Sequence, residues 1–174
     1  MNQFKAERCL VPAGFGRPVK CKLYHFRDAS MSACGSVSYQ HSLLPRPIVG
    51  QSRLALIREM TMPRLELSAA VIAVRMDRML SRELSVAIQE FVFWTDSMIV
   101  LQYVYSYSKR FQTFVANRLS VIHDGSMPRQ RKVDTRGDPA GDVSRGLNGF
   151  EMISSPRWKR GPGFQSLPGP PIQL

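Results

Sequence analysis

Cysteine is scarce in this chain. Cys9, Cys21 and Cys34 are the only three in 174 residues, too far apart for a disulfide framework and without the close pair of a metal clip. That count fits a reducing compartment. Long apolar runs are missing too. Nothing approaches the roughly 20 residues of a membrane span, and Met1-Asn2-Gln3-Phe4-Lys5 lacks the apolar stretch of a signal peptide. The expectation is an intracellular protein with no membrane partner. His25, His41 and His123 are the only histidines, no Ser-His-Asp set is readable, and Gly14-Phe15-Gly16 lacks the context of a phosphate loop. His25 reads as a strand residue, and His123 as a helix C-terminal residue near the negative end of the helix dipole.

Negative charge is the other shortage. Lys and Arg number 24 against 13 Asp and Glu, a net charge of +11. The excess is uneven: residues 61–126 hold seven basic and six acidic side chains, the first 60 hold nine against three, and 127–174 hold eight against four. A polyanion partner such as nucleic acid is one reading, because clustered cations attract phosphates. Basic termini with no partner are the other, since this charge is not laid along one helix face.

Hydrophobic spacing supplies the architecture. Pro12, Gly14, Gly16 and Pro18 make residues 1–20 an extended lead-in. Cys21 to Asp28 reads as a strand with Leu23 and His25 on one face and Tyr24, Phe26 and Asp28 on the other. Gly35–Gln40 is a second, antiparallel strand and Ile48–Leu54 a weaker third. A helix follows from Thr61, a candidate N-cap with Pro63 in the first turn, to about Glu83. Its stripe is Leu65, Ala69, Ile72, Met76 and Met79. Phe91–Thr95 is a buried strand, with Trp94 in the core. Helical patterns follow over Ser97–Ser106 and Lys109–His123, the second stopped by Asp124-Gly125-Ser126. Arg129–Asp134 is a weak fifth strand, and Asp138-Pro139 opens a short last helix with Asp138 as its cap. Three domain stretches result: the lead-in, a domain over 21–146, and a Pro/Gly-rich, unstructured tail over 147–174. The fold class is α/β, a mixed sheet of three antiparallel strands with parallel additions reached through a crossover helix.

Four acids stand at comparable places in that order. Asp28 ends the first strand, Glu66 lies in the first turn of the crossover helix, Asp96 ends the fourth strand and Asp142 lies in the last helix. Ligands collect at the carboxyl ends of strands in such sheets. Clustered carboxylates repel one another and raise their own pKa values. Hard divalent cations relieve this, and a pair of them about 4 Å apart is a general device for phosphodiester cleavage.

Several motifs together resemble one family. Met60-Thr61-Met62-Pro63-Arg64-Leu65-Glu66-Leu67-Ser68-Ala69-Ala70, Phe93-Trp94-Thr95-Asp96-Ser97 and Lys109 to Arg118 resemble the ribonuclease H-like block of Pao/Bel LTR retrotransposon polyproteins. Asp28-Ala29-Ser30 and Asp138-Pro139-Ala140-Gly141-Asp142-Val143-Ser144-Arg145-Gly146 are similar to the same block, and the resemblance spans about Pro12 to Gly146. It implies a ribonuclease H-like fold and metal-binding, catalytic roles for Asp28, Glu66, Asp96 and Asp142. It further implies two Mg²⁺ ions, with Mn²⁺ as substitute, cleavage of the RNA strand of an RNA–DNA hybrid, and partnership with the reverse transcriptase and integrase of one polyprotein. Some residues depart from the pattern. Gln40–Pro47 looks shorter than the usual hairpin, and Gln130–Val133 replaces a Trp-containing strand. Asp138 stands where Asn is common and Gly141 where Asp is common, and the loop Thr135-Arg136-Gly137 lacks a His. With no polymerase before it and no integrase after, the chain reads as a truncated copy.

Three functions stay open at this point: the metal-dependent endonuclease, an inactive or binding-only remnant, and the aspartic peptidase whose label the same family carries (Peptidase A17). The last needs an Asp-Ser/Thr-Gly turn, which neither Asp28-Ala29-Ser30 nor Asp96-Ser97-Met98 supplies. For nucleic-acid contact the candidates are Arg53, Lys109, Arg110 and Arg118 against phosphates and Tyr105 and Tyr107 as stacking groups.

Overall fold

The computed structural model describes residues 21–41, 46–55, 60–84, 86–126 and 130–163. The lead-in over 1–20 and residues 164–174 of the tail lie outside the described residues. Three strands come first: β1 (Cys21–Ala29), β2 (Ala33–His41) and β3 (Arg46–Leu54). Helix α1 (Met62–Glu83) crosses to β4 (Ile88–Thr95), and α2 (Met98–Tyr105) and α3 (Thr113–Ser126) lead to β5 (Gln130–Lys132). Three short helices end the described chain: α4 (Ala140–Arg145), α5 (Gly149–Ser154) and α6 (Pro156–Arg160).

The five strands form one mixed sheet in the order β3-β2-β1-β4-β5. β1 pairs antiparallel with β2 and parallel with β4, so the two antiparallel hairpin partners lie on one side and the parallel additions on the other. This is the expected topology. The parallel register sets Arg27 against Thr95, which brings the two strand-ending acids, Asp28 and Asp96, out at the same rim.

Strand alternation divides the core between two faces. Leu23 and His25 face α1, whose stripe buries Leu65, Ala69, Ile72 and Met76. The stripe ends on Leu80 rather than Met79, which is exposed, because the helix has rotated the 79 position out of the contact by its fifth turn. Phe26 faces the other side with Val37, Tyr39, Trp94, Val133 and Ala140. Phe26 and Trp94 stack at 6.1 Å, and each such side chain fully buried stabilises by about 2–3 kcal/mol.

Three expectations need correction. Helix α3 starts at Thr113 and runs through Gly125 to Ser126 instead of stopping at His123. Gly125 is used for close approach: a Cβ there would run into Val74 Cγ1 of α1. Asp138 caps one residue before the helix proper, its Oδ1 accepting from the Ala140 N–H at 2.8 Å, with Pro139 at the N-cap position. The tail is not structureless over 149–160. Asn148 and Glu151 form a reciprocal capping box at the start of α5, and Trp158 of α6 packs on the Phe26 face.

Candidate active site

The carboxylates are positioned from the ends of elements. Asp28 leaves β1 toward α4, where the Ser144 hydroxyl donates to its Oδ2 at 2.6 Å. Ser144 is in turn tied to the strand end, its carbonyl accepting from Ser30 Oγ at 2.7 Å. Glu66, one turn into α1, accepts from the Ser97 hydroxyl at 2.6 Å. Ser97 is also the N-cap of α2, taking the Val100 N–H at 3.3 Å, so one side chain joins α1 to the residue after Asp96.

These groups sense one another. Burial pushes the Asp28 carboxyl up, and the neighbouring Asp96 adds to the rise while Ser144 and Arg145 oppose it. Burial likewise raises Glu66, with Asp96 and then Asp28 adding to the effect. A fourth carboxylate takes part that sequence reasoning treated only as a cap. Asp138 is almost completely buried and raised well above the ordinary range, first by burial and then by Asp96 and Asp28. Its Oδ2 has no hydrogen-bond partner. Beside it, Arg27 is 1% exposed with all three guanidinium nitrogens unpartnered. Burial lowers this arginine to about 10 against the pull of Asp138, Tyr105 and Glu66. An arginine in a strand normally signals a solvated face, so nothing in the sequence marked Arg27 as interior.

Asp142 does not join the set. Its Oδ1 is engaged by Arg157 of α6, which also donates to the Arg136 carbonyl at 3.0 Å. Its Oδ2 is buried without a partner. On a helix, Asp142 is 100° from Gly141 and 200° from Ser144, the residue that meets Asp28. Gly141 lies about 60° from Ser144 on that helix, and the space beside it is taken: a Cβ at 141 would meet Arg145 Nη2. That guanidinium lies 3.9 Å from Asp28 Oδ2 and donates through Nε to the Gly141 carbonyl at 3.1 Å.

The fit to metal is therefore divided. Asp28, Glu66 and Asp96 offer only hard oxygen donors whose repulsion a divalent cation would relieve. The fourth expected ligand is held elsewhere, and among the described residues no three His, Cys, Asp or Glu side chains form a ready-made cage for one ion. By donor chemistry these acids suit a hard divalent ion, which would have to draw them into a closer set than the one they form.

The nucleic-acid candidates are spread over the surface. Lys109 and Arg110 are exposed between α2 and α3, and Arg110 shares a cleft with Arg64 and Gln112 near the start of α1. Tyr107 is exposed and stacks on His123 at 5.5 Å. Tyr105 is half-buried and donates to the Gln130 carbonyl at 3.0 Å, which removes it from the open rim. Arg53, on β3, and Arg118, on α3, line a different cleft beside α1. His123 lies in the last turn of α3, as expected, and hydrogen-bonds the Val104 carbonyl at 2.8 Å.

Sequence reasoning found no Ser-His-Asp set, yet the structure contains those residue types in contact. His25 Nδ1 lies 2.7 Å from Ser38 Oγ and Nε2 lies 2.9 Å from Asp77 Oδ1. All three are buried beneath α1, so no substrate reaches the serine. Their separations of 13 and 52 residues leave no local pattern to read.

A family model of the Pao retrotransposon-like RNase H-like domain matches residues 1–97. The chain belongs to this family. The match spans β1 through Asp96 and so covers three of the four expected acids. No curated protein matches the chain. Among solved structures, it is similar to LC11 RNase H1 in complex with an RNA/DNA hybrid, at 13% identity over 68% of this chain and 88% of the other, with a TM-score of 0.49. It is also similar to RNase H1 of Halobacterium salinarum (9%, 67% and 87%, TM-score 0.48). A third likeness is to the protease–reverse transcriptase of prototype foamy virus (11%, 78% and 20%, TM-score 0.43). The fold class is α/β and RNase H-like.

Proposed function

We propose that this domain hydrolyses the RNA strand of an RNA–DNA hybrid, using a divalent ion held by Asp28, Glu66 and Asp96. The supporting observation is the rim itself. The partly buried Asp28 and Glu66 carboxyls, from β1 and α1, are both raised by Asp96 after β4, and Glu66 by Asp28 as well. A fold gains no stability from that arrangement, so a ligand that neutralises it is the economical explanation. When bound, Mg²⁺ or Mn²⁺ would polarise a phosphoryl oxygen and lower the pKa of a water. The chain's own residues do the positioning. Ser97 fixes Glu66, Ser144 fixes Asp28, and exposed Lys109, Arg110 and Tyr107 contact the sugar-phosphate backbone. Discrimination of RNA from DNA would come from 2′-hydroxyl contacts across the minor groove.

A second reading is binding without turnover. The Arg157 grip on Asp142 and the Arg145 guanidinium beside Asp28 favour it, because a resident cation offsets the rim's charge without metal. End-labelled hybrid incubated with the full chain in Mg²⁺ or EDTA, beside Asp96→Asn, separates the two. Metal-dependent cleavage lost in the variant supports hydrolysis. Salt-sensitive binding with no cleavage supports the second reading. Peptide cleavage blocked by pepstatin and indifferent to EDTA would overturn both in favour of a peptidase.

No described helix is long and apolar enough to cross a membrane. The reverse transcriptase and integrase of one polyprotein remain proposed partners on the strength of the family alone.

A further inference from the structure

On the β3 side of α1 lies a cleft of about 450 Å³, bounded by α1, α3 and the edge of β3. Arg53 enters it from β3, Arg75 from α1 and Arg118 from α3, with Ser68 and Asn117 as neutral hydrogen-bonding groups and Cys34 in the wall. Among the described residues no carboxylate lines the cleft, and none of the three arginines is ion-paired to a described acid. Arg118 is the anchored member. Its guanidinium lies 3.3 Å from the centre of the Phe114 ring, Nε donates to Ser68 Oγ at 3.2 Å and Nη1 donates to the Phe114 carbonyl at 3.1 Å. Burial lowers its pKa, and the nearby Arg75 adds to the fall. Arg53 and Arg75 are exposed at the mouth. A surface that gathers like charges attracts an anion.

The position of the cleft suggests which anion. Ser68 follows Glu66 by two residues on α1. Cys34 pairs with Ala29, the residue after Asp28, and Arg53 pairs with Cys34 on the next strand. With strands about 4.8 Å apart, the cleft opens within about 10 Å of the carboxylate rim. A polyanionic strand crossing the rim is repelled by the acids except where the cation bridges, and is drawn to this side.

We propose that the cleft is a phosphate-binding subsite that seats a phosphodiester of the bound nucleic acid beyond the rim, with Arg53, Arg75 and Arg118 supplying the charge. This rests on the nucleic-acid reading of the rim and adds a second contact to it.

The test is fluorescence anisotropy with a labelled RNA–DNA hybrid and the full chain in EDTA, measured across salt concentration. Arg53→Ala and Arg75→Ala carry it, because both side chains are exposed and their loss leaves the fold intact; Arg82→Ala, exposed at the end of α1, is the control. Each cleft variant is expected to weaken binding severalfold and to reduce the slope of log affinity against log salt by about 1, the loss of one phosphate contact. The control is expected to keep the wild-type slope. Wild-type affinity and slope in both cleft variants would overturn the subsite while leaving the rim reading untouched. Failure of the wild-type chain to bind hybrid in EDTA would overturn the subsite, and failure to bind with Mg²⁺ present as well would overturn the rim reading too.

Discussion

Two buried polar clusters share the same strand, and they are built on opposite terms. His25, Ser38 and Asp77 form a closed set in which each partner satisfies the next at hydrogen-bond distance. Two residues further along β1, toward the rim, Arg27 begins an open one with Asp28, Glu66, Asp96 and Asp138. There, three guanidinium nitrogens and a carboxylate oxygen are buried without partners, and three carboxyls are pushed above their ordinary range. The closed set has the residue types of a hydrolase and no access; in the open set Arg27 and Asp138 are as deeply buried, but Asp28, Glu66 and Asp96 reach the surface, and the demand is unmet. Residue types alone would rank them the wrong way round. Unsatisfied polar groups at a rim point to a ligand, whereas satisfied ones beneath a helix hold that helix in place.

The comparison breaks most readily at Asp77. Asp77→Ala leaves a buried imidazole nitrogen without its partner, which costs about 1–3 kcal/mol. Urea unfolding should show a large drop in midpoint. Asp96→Asn at the rim, by contrast, should leave the midpoint unchanged or raise it, since it removes a repelling charge. A loss there as large as that at Asp77 would erase the distinction.

Next in size is a pH effect. Asp28, Glu66 and Asp138 hold their protons more tightly in the folded state than when unfolded. Their contribution is therefore favourable at low pH and is lost as pH rises from the unfolded carboxylate range, about 4, through their raised folded values. Thermal unfolding between about pH 4 and 7 should show stability from these groups falling with pH. Asp138→Asn keeps an oxygen for the Ala140 N–H and should flatten the profile. Mn²⁺ should offset the loss near neutrality.

The smallest effect sharpens the open set. Gly141→Asp directs a carboxylate at the Arg145 guanidinium, the flexible end of an exposed side chain that can move aside. Mn²⁺ affinity is expected to rise several-fold in Gly141→Asp and to change little in Arg157→Gln, which frees Asp142 on the wrong side of α4. A larger gain from Arg157→Gln would show that Asp142 does reach the rim.

Much of the fold was legible because its signals are local. Alternation in Leu23–Asp28, the three-and-four spacing of Leu65–Met76 and the apolar run ending at Asp96 each specify an element and a face. The acids that terminate those elements could be read with them. Asp142 could not be placed, because its partner Arg157 comes from a segment whose Gly and Pro content suggested no structure. The Asn148–Glu151 capping box in that segment was a readable sign to the contrary. Arg27 and Asp138 were illegible for another reason: their burial is set by helices α1 and α4 closing over the sheet, and no periodicity records that.

The account stands or falls on whether Asp28, Glu66 and Asp96 bind a divalent cation. Isothermal titration of the full chain with Mn²⁺ near neutral pH tests this without relying on turnover. One ion per chain, with affinity lost in Asp96→Asn and kept in Asp142→Asn, is the predicted result. No binding, or binding indifferent to Asp96 and dependent on Asp142, would contradict it.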